Sequence, residues 1–354
     1  MNWETLDWEI LDRLRETFLS GDKTAGPYWH TITDLECYDF TYGERIGWKW
    51  DAVLGELRSR GWSPRWNALS PTRSERTGVS PLHLPTLLDW GCGSGIAGRR
   101  VLEAFGAENF SRLVLHDHSA LALDYAEHRA RKAWPALTTE RADTRFLRGQ
   151  EPIGLLVISH VVNELDEIAK AELAELAVRA EAILWVEPGT HEMSRALGGW
   201  RERLRDQFQI LGPCPHQAAC GVLAPGNERH WCHFFAAPPT GVYADSGWVR
   251  FGQRAGIDLR SLPYAFLALD RLPPSALRLP PSNLSRIIGE PRLYKGYAKI
   301  FNCDAGGVAE LMLQKRDAPE LLKAFKHDGA GTDFHRWTHE NGRITKVLSE
   351  PTTD

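Results

Sequence analysis

The sequence predicts an α/β protein built around a doubly wound, mostly parallel sheet. Between residues 84 and 211, short apolar segments with strand character alternate with segments whose apolar residues recur at helical spacing. Such alternation is typical of βαβ units. A glycine-rich turn, residues 91–98, also joins the first strand of this series directly to a helix. A helical region precedes this core, and a segment with clustered cysteines and basic residues follows it.

Composition limits the class of protein. The chain has 354 residues, of which 43% are apolar and 25% charged, enough for one large core or several smaller ones. The net charge of −4 gives no whole-chain signal for nucleic acid, so any RNA-binding surface must be local. No apolar run approaches the ~20 residues of a membrane span. The acidic N-terminus does not resemble a targeting peptide. We therefore expect a soluble, cytoplasmic protein without a membrane partner.

We predict four consecutive regions: N-terminal helices (1–80), a core (81–211), a region that carries the cysteines and completes the sheet (212–325), and a tail (326–354). In the first region, apolar residues from Trp3 to Phe18 and again over 46–60 recur at helical spacing. Residues 62–85 are rich in Ser, Pro, Thr and Arg, which predicts a loop.

Within the core, the predicted strands are Thr86–Trp90, Arg112–His116, Ile153–Ser159 and residues 182–186. The predicted helices are 99–105, 119–133 with Ser119 as N-cap, 167–180, and 193–211 with one apolar stripe. Further strands are expected at 297–301 and 308–313, with a turn at Gly306 and Gly307 between them.

The glycine-rich turn matches two nucleotide-binding patterns. Gly93, Gly95 and Gly98 fit the dinucleotide fingerprint, whereas Asp89, Gly91, Gly93 and Gly95 fit the loop of S-adenosylmethionine (SAM)-dependent methyltransferases. A carboxylate just before the loop would repel a pyrophosphate but attract the ammonium and sulfonium of SAM. The charge of Asp89 therefore favours SAM. The alternative is a fold that has kept the loop without binding a ligand well.

Two further positions belong to the predicted cofactor site. Asp117 lies 22 residues beyond Gly95, at the end of the second strand, where a carboxylate can accept hydrogen bonds from ribose hydroxyls. Asn163 and Glu164 follow the strand Ile153–Ser159 and are candidates for contacting substrate or the amino-acid part of SAM. The alternative is that they, with Asp166, merely begin a helix. The sequence identifies no catalytic residue.

Four cysteines are candidate metal ligands. Cys214, Cys220, Cys232 and Cys303 are separated by six, twelve and seventy-one positions. Four thiolates can hold a [4Fe–4S] cluster, or tetrahedral zinc with His216 or His233 replacing one thiolate. These spacings match no standard zinc or ferredoxin pattern, so ordinary buried cysteines remain an alternative. Cys37 and Cys92 lie elsewhere, and we expect them to be ordinary buried residues.

Taken together, these motifs resemble the methyltransferase-like proteins associated with the small ribosomal subunit, a family found in mitochondria and in bacteria. The resemblance covers residues 85–316. It rests on the glycine-rich loop, on Pro213-Cys214-Pro215-His216 with Cys220, on Trp231-Cys232-His233-Phe234, on Arg286 to Pro291 with Lys295-Gly296, on Cys303, and on Lys315-Arg316.

The resemblance implies a Rossmann-like SAM-methyltransferase core with an added C-terminal metal-binding region. It also implies a [4Fe–4S] cluster held by the four cysteines, and a role in small-subunit assembly through binding of ribosomal RNA or a ribosome precursor. It carries over no catalytic residue. Two alternatives stay open: an active SAM-dependent methyltransferase of RNA, protein or a small molecule, and a redox- or metal-sensing regulator on a vestigial methyltransferase fold.

The resemblance also gives a use to the basic stretch 250–300, which holds nine Lys or Arg residues against three acids. These residues could face RNA phosphates, with Tyr264, Tyr294 or Tyr297 stacking on bases. The alternative is that they are spread over several faces and solvated. The basic residues are Arg250, Arg254, Arg260, Arg271, Arg278, Arg286, Arg292, Lys295 and Lys299.

Overall fold

The computed structural model describes residues 1–20, 29–64, 84–271, 284–327 and 334–348. The chain divides into two compact units. Unit 1 comprises residues 1–186 and 236–262, and unit 2 comprises residues 187–235 and 263–354. None of the helices in the described ranges is long and apolar enough to cross a membrane.

Unit 1 is built on a parallel sheet with the strand order β3-β2-β1-β4-β5. Chain order reverses between β1 and β4, so a crevice opens at the carboxyl ends of these two strands. Both strands are buried almost throughout, as expected where helices cover both faces of a sheet. The strands are β1 (Thr86–Trp90), β2 (Arg112–His116), β3 (Thr138–Arg141), β4 (Ile153–Ser159) and β5 (Ala180–Pro188).

The helices are numbered along the chain. They are α1 (Trp8–Ser20), α2 (Ile32–Tyr38), α3 (Glu44–Ser59), α4 (Ile96–Phe105), α5 (Ala120–Ala133), α6 (Thr144–Arg148), α7 (Glu167–Arg179), α8 (His191–Leu204), α9 (Ser246–Ala255) and α10 (Pro319–His327). Helices α8 and α10 belong to unit 2, and the others belong to unit 1. A π-helix, Asp39–Gly43, joins α2 to α3.

The N-terminal helices are part of unit 1 and share its core. Leu14 of α1, Leu35 of α2 and Trp29 form a buried cluster with Ala122 and Tyr125 of α5. This burial removes the apolar face of each helix from water, which stabilises short helices more than their intrinsic propensity does. The N-terminal region is thereby attached to the helix that follows β2.

Unit 2 contains a small β-barrel. Five strands form a closed ring in the order β9-β11-β12-β14-β13, and β13 pairs again with β9. Strand β10 pairs with β11 outside this ring. Apolar side chains including Ile300, Leu311, Leu313 and Ile344 fill its core. The barrel strands are β9 (Ser285–Ile287), β10 (Arg292–Tyr294), β11 (Tyr297–Asp304), β12 (Gly307–Gln314), β13 (Phe334–Glu340) and β14 (Arg343–Leu348).

Three more strands of unit 2 are antiparallel. Strand β8 (Pro263–Asp270) pairs with both β6 (Gln209–Gly212) and β7 (Phe234–Phe235). The chain between β6 and β7 has little regular structure and contains a single 3-10 turn, Gly221–Leu223, among its described residues. Three of the candidate ligand cysteines lie on this connection.

The predicted α/β, Rossmann-like core is confirmed, and β1, β2 and β4 have the predicted bounds. The predicted helix 193–211 is wrong beyond Leu204. There β6 begins at Gln209 and pairs with β8, and the Gln217 side chain donates to Phe208 O (2.7 Å) and accepts from Ile210 N (3.0 Å). Most of the predicted loop 62–85 lies outside the described residues, as do Arg278 and residues 328–333 and 349–354 of the predicted tail. The described residues 334–348 of that tail hold the barrel strands β13 and β14.

Candidate functional site

The glycine-rich loop lies at the switch point of unit 1, between β1 and α4. Gly91, Gly93 and Gly95 have φ values of +68°, +51° and +75°, a backbone conformation that side chains with a Cβ rarely adopt. At Gly91 a Cβ would also lie 2.7 Å from Val161 Cγ1, beside the end of β4. The loop therefore needs glycine for its own shape, and it presents bare backbone to the crevice.

Asp117 lies beside this loop, as predicted. Its Oδ2 accepts a hydrogen bond from Gly93 N (2.8 Å), and its Oδ1 accepts one from Ser119 N (2.8 Å). Ser119 is the N-cap of α5, also as predicted, since its Oγ accepts from Ala122 N. A carboxylate oxygen has more than one acceptor lone pair, so these bonds leave capacity for ribose hydroxyls.

Asp89 is buried behind the loop. Its Oδ2 accepts a hydrogen bond from Gly98 N at 2.9 Å, and a Cβ on Gly98 would lie 2.7 Å from the same oxygen. Burial raises the pKa of Asp89 to about 7. In this structure Asp89 holds the first turn of α4. Its predicted attraction to the SAM ammonium stays a prediction.

Asn163 is exposed and lies on a 3-10 turn, Val162–Glu164, which two residues separate from the end of β4. Asp166 caps α7 by accepting from Ala169 N (2.8 Å), so that part of the helix-start interpretation is confirmed. Asn163 thus lies at the crevice end of β4, where the cofactor prediction placed it.

The contribution of the N-terminal region to this site was not predicted. Asp39, in the π-helix, accepts hydrogen bonds from Ser94 Oγ (2.7 Å), Arg99 Nη2 (2.6 Å) and Tyr125 OH (3.1 Å). It is only 6% exposed. One buried carboxylate therefore ties the N-terminal helices to the glycine loop, to α4 and to α5. The Asp-Phe-Thr-Tyr-Gly stretch gives no sequence signal for this role except a lack of helical apolar spacing.

Helix α3 also reaches the end of β4. Trp50 Nε1 donates a hydrogen bond to Ser159 Oγ (2.9 Å), and Lys49 Nζ lies 3.1 Å from His160 Nε2. His160 has a left-handed backbone, with φ +57°. Burial, together with the Lys49 and Arg45 cations, lowers the pKa of His160 well below its usual value. Its imidazole is therefore neutral near pH 7.

The four candidate ligand cysteines all belong to unit 2. Cys214 and Cys220 lie on the connection after β6, Cys232 precedes β7, and Cys303 lies in β11. Cys303 is buried and the other three are half-buried. By contrast, Cys37 and Cys92 are buried in unit 1, which confirms the expectation that they are ordinary buried residues.

The four thiols lie close together, because three of them raise the pKa of the fourth, Cys303. Burial raises the pKa of Cys303 well above its usual value, and the nearby Cys214, Cys232 and Cys220 raise it further. The pKa of Cys232 is also raised, first by burial and then by the nearby Cys214 and Cys220. The fold therefore brings four sulfurs from distant positions within electrostatic reach. Among the described residues, however, no three His, Cys, Asp or Glu side chains converge as they would around one metal ion.

A buried cation supports the loop that carries Cys214. Arg201 of α8 is 2% exposed, and its Nε donates to Cys214 Sγ at 3.3 Å. Its Nη2 donates to Ala218 O (2.6 Å), and its Nη1 contacts Glu202, which accepts from Cys220 N at 3.0 Å. These contacts shape a loop without regular backbone pairing and place a positive charge beside its thiols.

The two candidate histidine ligands differ in position. His216 Nε2 lies 3.5 Å from Cys303 Sγ, next to the thiols. His233 instead stacks on Trp231, with ring centroids 4.8 Å apart, and its ring lies against Gly289. Of the two, His216 is the one that the fold brings to the cysteines.

The basic stretch does not form one surface. Arg250 lies over the Trp8 ring and Arg254 pairs with Asp12, all within unit 1. Two predicted RNA contacts are wrong, because Arg286 and Tyr264 are 1% and 0% exposed. Burial in unit 2 makes both side chains inaccessible to RNA.

A smaller part of the stretch is exposed together. Tyr294 and Tyr297 stack with centroids 4.7 Å apart on the β10–β11 hairpin, and Tyr294 is 42% exposed. Lys295 is exposed at its turn, and Lys315 N donates to Gly296 O (2.8 Å) beside it. We define the hairpin surface as the following residues: Arg292, Tyr294, Lys295, Tyr297, Lys299, Lys315 and Arg316.

The sequence model of the family described as mitochondrial small ribosomal subunit Rsm22 matches residues 69–334. This is well over half of the chain. The chain belongs to the Rsm22 family. The matched Rsm22 region contains the glycine loop, Asp117, Asn163 and all four candidate ligand cysteines. No curated protein matches the chain.

Solved structures similar to this Rsm22 protein include three methyltransferases. Magnesium protoporphyrin IX methyltransferase from Synechocystis with bound SAM is 11% identical, with a TM-score of 0.35 over 76% of this chain and 99% of that chain. The N-methyltransferase NodS from Bradyrhizobium japonicum with S-adenosyl-L-homocysteine is 12% identical, with a TM-score of 0.33 over 62% and 98%. An rRNA methylase from Streptococcus thermophilus is 12% identical, with a TM-score of 0.32 over 53% and 87%. The family assignment rests on the Rsm22 match.

Proposed function

We propose that this chain is a SAM-binding, methyltransferase-like protein that acts in assembly of the small ribosomal subunit. In this proposal it binds the subunit's RNA in the cytoplasm, and unit 2 holds a [4Fe–4S] cluster. The observation that carries the proposal is membership of the Rsm22 family, whose description names the small ribosomal subunit. The two sites described above supply the chemistry.

The crevice of unit 1 supports SAM. The backbone at Gly91, Gly93 and Gly95 allows close approach of a ligand, and Asp117 stands where ribose hydroxyls would be bound. Asp89 and Asp117 lie on either side of the loop. The carboxylate of Asp117 favours the sulfonium and ammonium of SAM and disfavours a pyrophosphate.

The cysteines of unit 2 supply the four thiolates that a cluster requires. Four thiolates around one zinc lie ~2.3 Å from it and hence about 3.8 Å from each other. The described side chains show no such convergence, although Cys214, Cys220 and Cys232 all lie close enough to Cys303 to raise its pKa. A cuboidal cluster is larger than one ion and spaces its thiolates more widely. Cys214, Cys220, Cys232 and Cys303 would hold it, and zinc is the alternative metal.

Charge in unit 2 also fits such a cluster. Four thiolates bring negative charge into a partly buried site, which is costly unless cations lie nearby. Arg201 donates to Cys214 Sγ, and the buried Arg286 guanidinium lowers the pKa of Cys232, opposing the effect of burial. When bound, the cluster would cross-link loops that lack regular hydrogen bonding. The barrel beside those loops would then keep a defined shape.

The hairpin surface supports RNA binding by unit 2. Exposed aromatic rings offer stacking platforms for unpaired bases, and neighbouring lysines and arginines can contact phosphates. Tyr294, Tyr297 and Lys295 provide both groups on one hairpin. Glu310 pairs with Arg292 and with Lys299 (2.8 Å), so it orients two of these cations.

Binding to small-subunit RNA tests the proposal. Tyr294→Ala should weaken the affinity for that RNA about tenfold, because stacking contributes ~1–3 kcal/mol per base. Tyr243→Ala is the matched control, since Tyr243 is also an exposed tyrosine, 48% exposed, but belongs to unit 1. Filter binding with purified RNA measures both. Equal affinity for wild type and Tyr294→Ala would argue against the hairpin surface.

The cluster is tested separately, on protein purified without oxygen. We expect a brown protein that contains iron and sulfide. Cys214→Ser should weaken RNA binding while SAM binding persists, because the cysteines lie in unit 2 and the glycine loop in unit 1. A colourless protein that contains zinc would refute the cluster and support zinc as the metal. Unchanged RNA affinity in Cys214→Ser would remove the link between metal and RNA.

A second candidate function is methyl transfer itself. The observation that favours it is the group at the crevice end of β4, where Ser159, a neutral His160 and Asn163 follow one another. Labelled SAM and small-subunit RNA provide the assay. Transfer that disappears in Asp89→Ala would support an active enzyme. If the wild type binds SAM but transfers no methyl group, only the role in SAM and RNA binding would remain.

A further inference from the structure

Helix α3 places two cations on the same face, one turn apart. Arg45 and Lys49 have an i, i+4 spacing, and both contribute positive potential at His160. Like charges at this spacing destabilise a helix by a few tenths of a kcal/mol. Both residues are half-buried. Repulsion between the two cations alone is unfavourable for α3, and a bound anion would offset it.

His160 fixes the position of Lys49. An ammonium group can only donate, so Lys49 Nζ donates to His160 Nε2 across 3.1 Å. His160 Nδ1 then carries the ring proton and faces Ser159 Oγ at 3.3 Å. Trp50 Nε1 also donates to Ser159 Oγ. His160 also has a left-handed backbone, and such strained residues are found mostly at functional sites.

Arg45, one turn before Lys49 on α3, carries a hydrogen-bond donor that lacks an acceptor among the described residues. Its Nε is buried and has no hydrogen-bond partner in the described part of the chain. Burial lowers the pKa of Arg45 to about 10, which still leaves it charged at pH 7. A buried N–H of a cation without an acceptor is costly. An anion bound beside α3 would remove that cost.

We propose that Arg45 and Lys49 form an oxyanion site that binds the α-carboxylate in the methionyl part of SAM. The inference rests on the proposed SAM binding. Asp117 assigns the ribose to the β2 side of the loop, so the methionyl part extends the other way, towards β4. Gly91 touches Val161, the neighbour of His160, which brings the loop and the cation pair to the same end of β4.

An RNA phosphate has the same oxyanion chemistry, and the experiment separates the two sources. Calorimetry measures binding of S-adenosylhomocysteine, which has the carboxylate, and of 5′-methylthioadenosine, which lacks the amino-acid part. The variants are Arg45→Met, Arg45→Lys and Lys49→Met. Arg58→Met is the matched control, because Arg58 is an exposed arginine of the same helix. RNA affinity is measured for every variant.

We expect Arg45→Met and Lys49→Met to lose about ten- to hundredfold in affinity for S-adenosylhomocysteine, the size of a lost charge-assisted hydrogen bond. Affinity for 5′-methylthioadenosine should stay within twofold, which also shows that the variants are folded. Arg45→Lys should retain part of the affinity, and Arg58→Met all of it.

Three results would overturn the inference. If wild type and both methionine variants bind S-adenosylhomocysteine equally, Arg45 and Lys49 do not contact the carboxylate. The proposed SAM binding would still stand. Loss of RNA affinity with unchanged S-adenosylhomocysteine affinity would assign the cations to a phosphate. A wild type that binds neither nucleoside would instead refute the proposed SAM binding, and the carboxylate site with it.

Discussion

The glycine loop of unit 1 and the cysteine group of unit 2 are assembled in opposite ways. The loop and Asp117 come from one βαβ stretch, residues 89–117, and one backbone N–H group orients each oxygen of Asp117. The cysteines come from residues 214–303, and a buried arginine rather than a strand or helix holds the first of their loops. Hydrogen bonds within unit 1 already fix the shape of the loop and the orientation of Asp117. The cysteine group brings together sulfurs from distant positions in the chain, which a bound metal would link.

The comparison indicates which substitutions should disturb each site most. A site built from regular elements depends on close backbone packing, and it should respond to small changes of volume. A site built from irregular loops depends on whatever links those loops. Three experiments examine this difference, and the largest effect is expected in unit 2.

Removal of one cysteine should empty the metal site of unit 2 and leave unit 1 functional. We expect Cys303→Ser to lose most of its bound iron and its visible absorption, because a cluster held by four thiolates loses a ligand. Affinity for S-adenosylhomocysteine should stay within twofold. Metal analysis and calorimetry on anaerobic protein measure the two effects.

Cys37→Ser serves as the control for that experiment, since Cys37 is a buried cysteine of unit 1. It should keep the full metal content. If Cys37→Ser and Cys303→Ser lost metal equally, the assignment of the four ligands would be wrong.

In unit 1 the buried Asp89 should make stability depend on pH. Burial raises its pKa from the ordinary 3.8 to about 7, so between these values the folded chain keeps a proton that the unfolded chain releases. The free energy of unfolding should therefore fall as pH rises from about 4 to 7, by up to a few kcal/mol, and then level off.

Asp89→Asn cannot titrate, and its amide oxygen can still accept from Gly98 N. Relative to wild type, its free energy of unfolding in urea should increase between pH 5 and pH 8. Parallel curves for the two proteins would mean that Asp89 does not carry the raised pKa.

The smallest effects concern two close backbone approaches, one in each unit. A Cβ at Gly98 would lie 2.7 Å from Asp89 Oδ2, and one at Gly221 would lie 2.8 Å from the Gly307 backbone. We expect Gly98→Ala and Gly221→Ala to reduce the free energy of unfolding by about 1–3 kcal/mol each. Gly221→Ala should also reduce metal content, because Cys220 is its neighbour.

Gly55→Ala and Gly199→Ala are the controls. Both glycines lie in helices, α3 and α8, and a Cβ there would meet no heavy atom within 4 Å. Alanine at such positions should be neutral or stabilise by up to about 1 kcal/mol. A loss of stability in the controls as large as in the tests would argue against close packing as the cause.

Local patterns predicted much of unit 1. Strands β1, β2 and β4 and the cap at Ser119 follow from apolar runs and turn residues within a few positions. The helix predicted over 193–211 fails because its last apolar residues belong to a strand paired with β8, some sixty positions later. The role of Asp39 was not predictable, since nothing near it in the chain identifies Ser94 and Arg99 as partners.

For the candidate sites the same division holds. The glycine loop, Asp117 and the four cysteines could be named from residue types and spacing, because turn conformation and thiolate chemistry are local properties of those residues. The placement of Arg201 beside Cys214, the burial of Arg286 and Tyr264, and the meeting of Lys49 with His160 could not. Each depends on which distant elements pack together, and burial and hydrogen-bond partners exist only after that packing has formed.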